Sequence, residues 1–261
     1  MKDSARFRCG PDTPHKQKSF RQALGQRVGI ASRIRHRGWS TGPFLYVDMN
    51  AGPGVCPYDR CPHDVDEPCS DLHGSPRVAL RLLDDTLPGD YRAVLFEADP
   101  ETRAQLAAAV NGWPLDRVLL GESGRFIQPE GITAKSYGVV YVDPSNADLP
   151  VDVLQEYAAA FPKVDILINL ACTSHKRLKD SDDYERLNDT LARIGKTRWA
   201  IREPLDRRQW AMLLGANWQP AHPPSGDWRY LDTEQGRQWF ERIVYTREEL
   251  EEGAQRDLFD L

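Results

Sequence analysis

The sequence predicts an α/β protein built on a mostly parallel central sheet flanked by helices. Three observations carry this. Apolar strand-like runs alternate with helical stretches through at least five β units, at 44–48, 92–99, 118–123, 137–142 and 164–170. That alternation implies parallel strands joined by helical crossovers. Most of the runs are apolar at consecutive positions rather than at every second one, as strands covered on both faces are. Finally, Phe44-Leu45-Tyr46-Val47 passes through Asp48 into Ala51-Gly52-Pro53-Gly54. A strand, a glycine turn and an acid at the next strand's end form the corner where doubly wound folds bind nucleosides.

In chain order, residues 1–14 are rich in Gly and Pro, and residues 15–37 follow a helical pattern. Phe20, Leu24, Val28, Ala31 and Ile34 recur at spacings of three to four. Gly25 and Gly29 weaken that helix by about 1 kcal/mol each against Ala. Gly38 and Gly42 end it. Residues 78–87 and 100–110 predict two further helices, with Pro100 suited to a first turn. Helices follow at 151–161 and 182–194, an edge strand at 199–204, a helix at 207–214 and a last strand at 239–246. Asn169 sits inside the apolar run of the fifth strand and needs a hydrogen-bond partner there, or costs ~1–3 kcal/mol.

Charge is distributed unevenly. Net charge is −5 over 261 residues, yet residues 1–42 carry ten Lys/Arg against two Asp, leaving −13 on the remainder. A basic arm on an acidic body suits a polyanion held at one edge. The alternative is a solvated helix with a charged face. The cations of that reading are Lys16, Lys18, Arg21, Arg33, Arg35 and Arg37, joined by Lys176 and Arg177 in a basic loop beyond the fifth strand.

No apolar run reaches the ~18–20 residues of a membrane span. The N-terminus has no apolar secretory core. Five cysteines, an odd number, do not read as a disulfide framework, so a reducing cytoplasm is expected. Cys56, Cys61, His63, Cys69 and His73 crowd one proline-rich segment. Thiolate and imidazole ligands suit a tetrahedral Zn²⁺, but the spacing matches no recognised zinc pattern. Free thiols in a loop are the alternative.

Val47-Asp48, Ala51-Gly52-Pro53-Gly54, Gly74-Ser75-Pro76-Arg77-Val78-Ala79-Leu80, Leu95-Phe96-Glu97-Ala98-Asp99, Val142-Asp143-Pro144 and Asp165-Ile166-Leu167-Ile168-Asn169 form an ordered series. In that order the chain resembles the three-Cys-motif partner proteins, a family of S-adenosylmethionine (SAM)-dependent methyltransferases found largely in bacteria and phages. The match covers roughly residues 42–180. The resemblance implies a Rossmann-like class I methyltransferase domain over 43–261, with insertions at 55–76 and 173–230, behind the basic arm at 1–42. It implies that Asp48, Ala51, Gly52 and Gly54 form the cofactor loop, with the two glycines approaching the methionine end of SAM. Glu97 would hold the ribose, and Glu122 or Ser123 the adenine.

Asp143, Pro144 and Asn146 would form the acceptor site. Amino-methylating enzymes of the adenine type carry an aromatic residue where Asn146 stands, so a stacking ring would have to come from elsewhere, such as Tyr58, Trp218 or Trp228. The leading expectation is methylation of an exocyclic amine on a DNA or RNA base. The rivals are a small-molecule or protein acceptor, and a non-catalytic subunit of the same fold that serves a protein partner.

Overall fold

The structure is a computed structural model and describes residues 13–39, 42–55, 74–122, 125–144, 149–172, 187–204, 210–217 and 226–245. The α/β class is as expected. The chain divides into two compact units, Met1–Tyr141 and Val142–Leu261.

The first unit holds α1 (Thr13–His36), β1 (Phe44–Asp48), α2 (Ser75–Thr86), β2 (Tyr91–Phe96), α3 (Pro100–Ala109), β3 (Val118–Gly121) and β4 (Gly138–Val142). Its strands lie in the order β3-β2-β1-β4, all parallel. Every residue of β1 and β4 is buried, as their unbroken apolar runs require. The chain moves outward from β1 through β2 to β3, then crosses back to place β4 on the other side of β1. Strand order therefore reverses at β1, and in open α/β sheets ligands bind outside the carboxyl ends of the strands at such a point.

Helix α1 packs on α2 and buries Phe20, Leu24, Val28 and Ala31 of the stripe read from the sequence, while Ile34, its last member, is half-buried. The Phe20 ring lies 4.4 Å from that of Tyr141. At its other end Gly38, with φ +69°, turns the chain into a left-handed cap. The Gly38 N–H donates to the Arg35 carbonyl at 2.8 Å and the Trp39 N–H to that of Ile34 at 3.1 Å. These paired bonds satisfy carbonyls that the helix end leaves open. Asp99 caps α3, its Oδ1 accepting from the Thr102 N–H at 2.8 Å. Asp84 at the end of α2 accepts from the Tyr91 hydroxyl at 2.8 Å and the Trp113 indole at 2.7 Å.

The second unit holds α4 (Val151–Ala160), β5 (Val164–Ala171), α5 (Leu187–Ile194), β6 (Arg198–Arg202), β7 (Trp210–Ala216), β8 (Trp228–Tyr230) and α6 (Glu234–Val244). Its strands run β5-β7-β6-β8 with antiparallel pairing at each step. Three expectations are corrected here. The helix expected at 207–214 is strand β7, because an unbroken apolar run gives no periodicity and two flanking strands bury all of it. The strand expected at 239–246 is helix α6. Thr233 caps it by accepting from the Gly236 N–H at 3.1 Å, and Trp239, Phe240, Ile243 and Val244 bury one helical face. The expected edge strand β6 is internal, flanked by β7 and β8. Trp199 on β6 lies over Gly215 on β7, where a Cβ would meet the indole at 2.7 Å.

Among the described residues no helix is long and apolar enough to cross a membrane.

Lys196, between α5 and β6, is 6% exposed. Burial pushes its ammonium down from 10.5 to about 8, with the Asp165 carboxylate pulling it partly back. Between those two values the unfolded chain binds the proton and the folded chain does not, so stability rises with pH across the window. The group contributes a swing of about 3 kcal/mol, present in full above 10.5 and lost as pH falls through 8. Lys196→Met is expected to remove this slope from urea unfolding midpoints measured between pH 7.5 and 10.5, and to raise stability at the lower end. Parallel pH profiles for the two proteins would refute the buried ammonium.

Candidate functional site

The carboxyl end of β1 delivers Asp48 into the interior, with no exposed surface. Its Oδ2 accepts from the Tyr46 hydroxyl at 2.9 Å and the Ser75 hydroxyl at 2.6 Å, and its Oδ1 from the Asn50 N–H at 3.2 Å. Burial and the Asp48 charge push the Tyr46 hydroxyl well above its ordinary pKa, which keeps it a donor. Asp48 therefore ties β1, the turn after it and the first residue of α2 to one point. It shapes the loop from behind.

The loop itself turns at two left-handed glycines, Gly52 with φ +60° and Gly54 with φ +74°. They differ in surroundings. A Cβ on Gly52 would meet nothing within 4 Å, whereas one on Gly54 would meet Ala109 Cβ and Leu106 Cδ1 of α3 at 3.1 Å. Gly52 is thus the point of open approach and Gly54 the point of packing. Ala51 is buried, its N–H donating to the Phe96 carbonyl at 2.9 Å. The Gly74 N–H donates to the Gly54 carbonyl at 3.0 Å, joining the loop to the start of α2.

Glu97 follows β2 directly and is 9% exposed. Its Oε2 accepts from the Gly52 N–H at 3.0 Å and its Oε1 from the Asp99 N–H at 2.9 Å. A carboxylate offers about four lone-pair sites, so each oxygen retains capacity for a further donor such as a sugar hydroxyl. Arg103, which sequence reading passed over, donates to the Glu97 carbonyl at 2.9 Å and pairs with Glu122 at 3.3 Å. The Glu122 side chain is otherwise largely exposed. Ser123 lies outside the described residues. The arrangement suits a hydroxyl-bearing ligand: the Glu97 carboxylate with lone pairs to spare, one open glycine face and no bulky side chain on the loop at Gly52.

In the second unit Asp143 Oδ1 accepts from Asn169 Nδ2 at 2.7 Å. Asn169 is 1% exposed, so this is the partner its place in β5 demanded. Pro144 is buried. Asn146, Lys176 and Arg177 lie outside the described residues, as do Cys56, Cys61, His63, Cys69 and His73. Among the described residues no group of His, Cys, Asp or Glu could hold a metal ion.

Of the α1 cations, Lys18, Arg21, Arg33 and Arg37 face solvent and Lys16 is half-buried. Arg35 differs. It pairs with the Asp90 carboxylate and donates to the carbonyls of Asp90 and Gly42 at 3.1 Å each. Its guanidinium fastens the end of α1 to the approaches of β1 and β2.

No family model matches the chain, and no curated protein matches it. Several solved structures resemble it. A Legionella pneumophila protein is 13% identical with a TM-score of 0.45, over 80% of this chain and 95% of that one. The N-methyltransferase NodS from Bradyrhizobium japonicum WM9 is 9% identical with a TM-score of 0.45, over 80% and 100% of the two chains. The N-terminal domain of human METTL16 in complex with SAH is 12% identical with a TM-score of 0.40, over 73% and 68%.

Both loop glycines lie in backbone that costs an L side chain about 1–2 kcal/mol. Only Gly54 adds a steric cost against α3, so Gly54→Ala is expected to lower the urea unfolding midpoint more than Gly52→Ala. Equal losses would show that the loop does not pack on that helix.

Proposed function

We propose that this chain is a SAM-dependent methyltransferase whose acceptor is an exocyclic amine of a nucleic-acid base, of the adenine N6 kind. The observation that carries the cofactor half is the Glu97 carboxylate bound to the Gly52 N–H beside a glycine face open to approach. It stands at the reversal of strand order in a parallel sheet, where nucleosides bind. In this reading Glu97 accepts the ribose hydroxyls and Gly52 admits the methionine portion. Asp48 acts through the loop by fixing Asn50 and Ser75, and Arg103 steadies Glu97 and Glu122 at the adenine side.

When bound, SAM supplies an electrophilic methyl group on a sulfonium. The protein's own part is alignment. Asp143 accepts a hydrogen bond from the acceptor amine and so orients the nitrogen lone pair. Asn169 positions Asp143 by donating to its Oδ1. Lys16, Lys18 and Arg21, with Lys176 and Arg177, supply phosphate contacts. The three-Cys-motif partner family is the finer form of this reading, supported by the ordered motif series alone.

Two measurements test it. Calorimetric titration with SAM is expected to show binding that Glu97→Ala weakens at least tenfold and that Gly52→Val abolishes; a wild-type protein that does not bind SAM overturns the proposal. Incubation with labelled SAM and separate DNA, RNA and protein pools is expected to label nucleic acid. Asp143→Ala should lower that turnover by 10²-fold or more with SAM affinity intact, and Asn169→Ala should do so more mildly. Label in the protein pool alone would replace the base with a protein acceptor.

A further inference from the structure

Helix α1 runs opposite to β1. Phe20 near its start meets Tyr141 at the carboxyl end of β4, and Arg35 near its end meets Asp90 just ahead of β2. Its cations therefore fall into two groups. Lys16, Lys18 and Arg21 lie toward the strand ends that carry Asp48, Gly52 and Glu97. Arg33 and Arg37, with His36 between them, lie at the opposite end, roughly 20–30 Å away along the helix axis.

At that opposite end stands Trp39, 65% exposed. The other described tryptophans are handled differently: Trp199, Trp210, Trp228 and Trp239 are buried, and Trp113 donates to Asp84. Trp39 is also held in place. The left-handed Gly38 and the bonds Gly38 to Arg35 and Trp39 to Ile34 tie its backbone to the helix end. The Arg37 guanidinium lies 5.2 Å from the centre of the indole. A cavity of about 200 Å³ at the same end of the helix is lined by Ser32, Arg35, His36, Thr86, Leu87, Pro88 and Asp90 and does not include the indole.

An exposed indole beside exposed cations matches a ligand that has flat π-faces and negative charge together. The neighbour placed against the ring is the Arg37 guanidinium, and Arg33 one turn back is also exposed, so the ring carries positive charge beside it. The other large exposed hydrophobics, Leu115, Leu119, Leu120 and Tyr245, belong to other segments. We propose that Trp39, Arg33, His36 and Arg37 form a docking site for single-stranded nucleic acid, with one base stacked on the indole and phosphates on the cations. Stacking on an aromatic side chain tolerates any base, and a basic groove tracks the backbone. This rests on the nucleic-acid half of the reading above and deepens it, by giving the end of α1 away from the glycine loop a contact of its own to the same strand.

The test uses the full chain and fluorescein-labelled single-stranded DNA and RNA 20-mers, with duplexes of the same length, read by anisotropy. Trp39→Ala is expected to weaken single-strand binding about tenfold or more, with little change for duplex, and Trp39→Phe to retain most of it. Arg33→Ala with Arg37→Ala is expected to flatten the slope of log affinity against log salt by about 1.4, while Trp39→Ala leaves that slope alone. SAM titration and urea midpoints should be unchanged in each variant. Single-strand binding equal in wild type and Trp39→Ala, no oligonucleotide binding by wild type, or Trp39-dependent binding to phosphatidylserine vesicles in place of oligonucleotides would overturn the proposal. Oligonucleotide binding that depends on Trp39 in a protein that ignores SAM would overturn the methyltransferase reading and leave this site standing.

Discussion

Two backbone N–H groups at the carboxyl edge of the first sheet, those of Gly52 and Asp99, find their acceptor in one side chain, the Glu97 carboxylate. Neither can be satisfied by the parallel ladder, because both lie past the strand ends. Both bonds are part-buried and join elements that the ladder leaves apart, so the acid is part of the fold before it is part of any chemistry. It couples the turn after β1 to the N-terminus of α3, and Arg103 closes the circuit from α3 back to the Glu97 carbonyl. A group fixed this way needs little rearrangement to receive a ligand, which is what preorganisation means in structural terms.

The same economy appears behind the loop. Asp48 has no surface to offer a ligand, yet it decides where the loop starts by gathering Tyr46, Asn50 and Ser75. Acids in the same corner thus divide the work: the buried one sets backbone course, the bordering one faces the crevice.

Much of this was readable from residue order. The strand at 44–48, its glycines and the acid after the second strand are local features, each specified by neighbours a few positions away. Asn169 was readable as a polar group in an apolar run that needed a partner, though not that Asp143 would be that partner. What the sequence hid were pairings over long separations. Arg35 looked like one more cation of a basic helix, and its engagement with Asp90, 55 residues on, has no local signature. Arg103 was likewise silent. Strand β7 was misread because Trp210–Ala216 is apolar throughout, and only the strands on either side decide between helix and sheet. Helix α6 was misread because reading began at Trp239, beyond the Thr233 cap that announces it.

The hydrogen bond from Gly74 to Gly54 has a corollary for chain length. Chain leaving the glycine loop and chain entering α2 meet at a neck so tight that a Cβ on Gly74 would sit 3.1 Å from the Gly54 backbone. The bond between them closes the loop at its base. Lengthening a stemmed segment twofold costs only about 0.6 kcal/mol of closure entropy. Changes of length between positions 54 and 74 therefore cost the glycine loop little, because its two flanks are already bonded to each other.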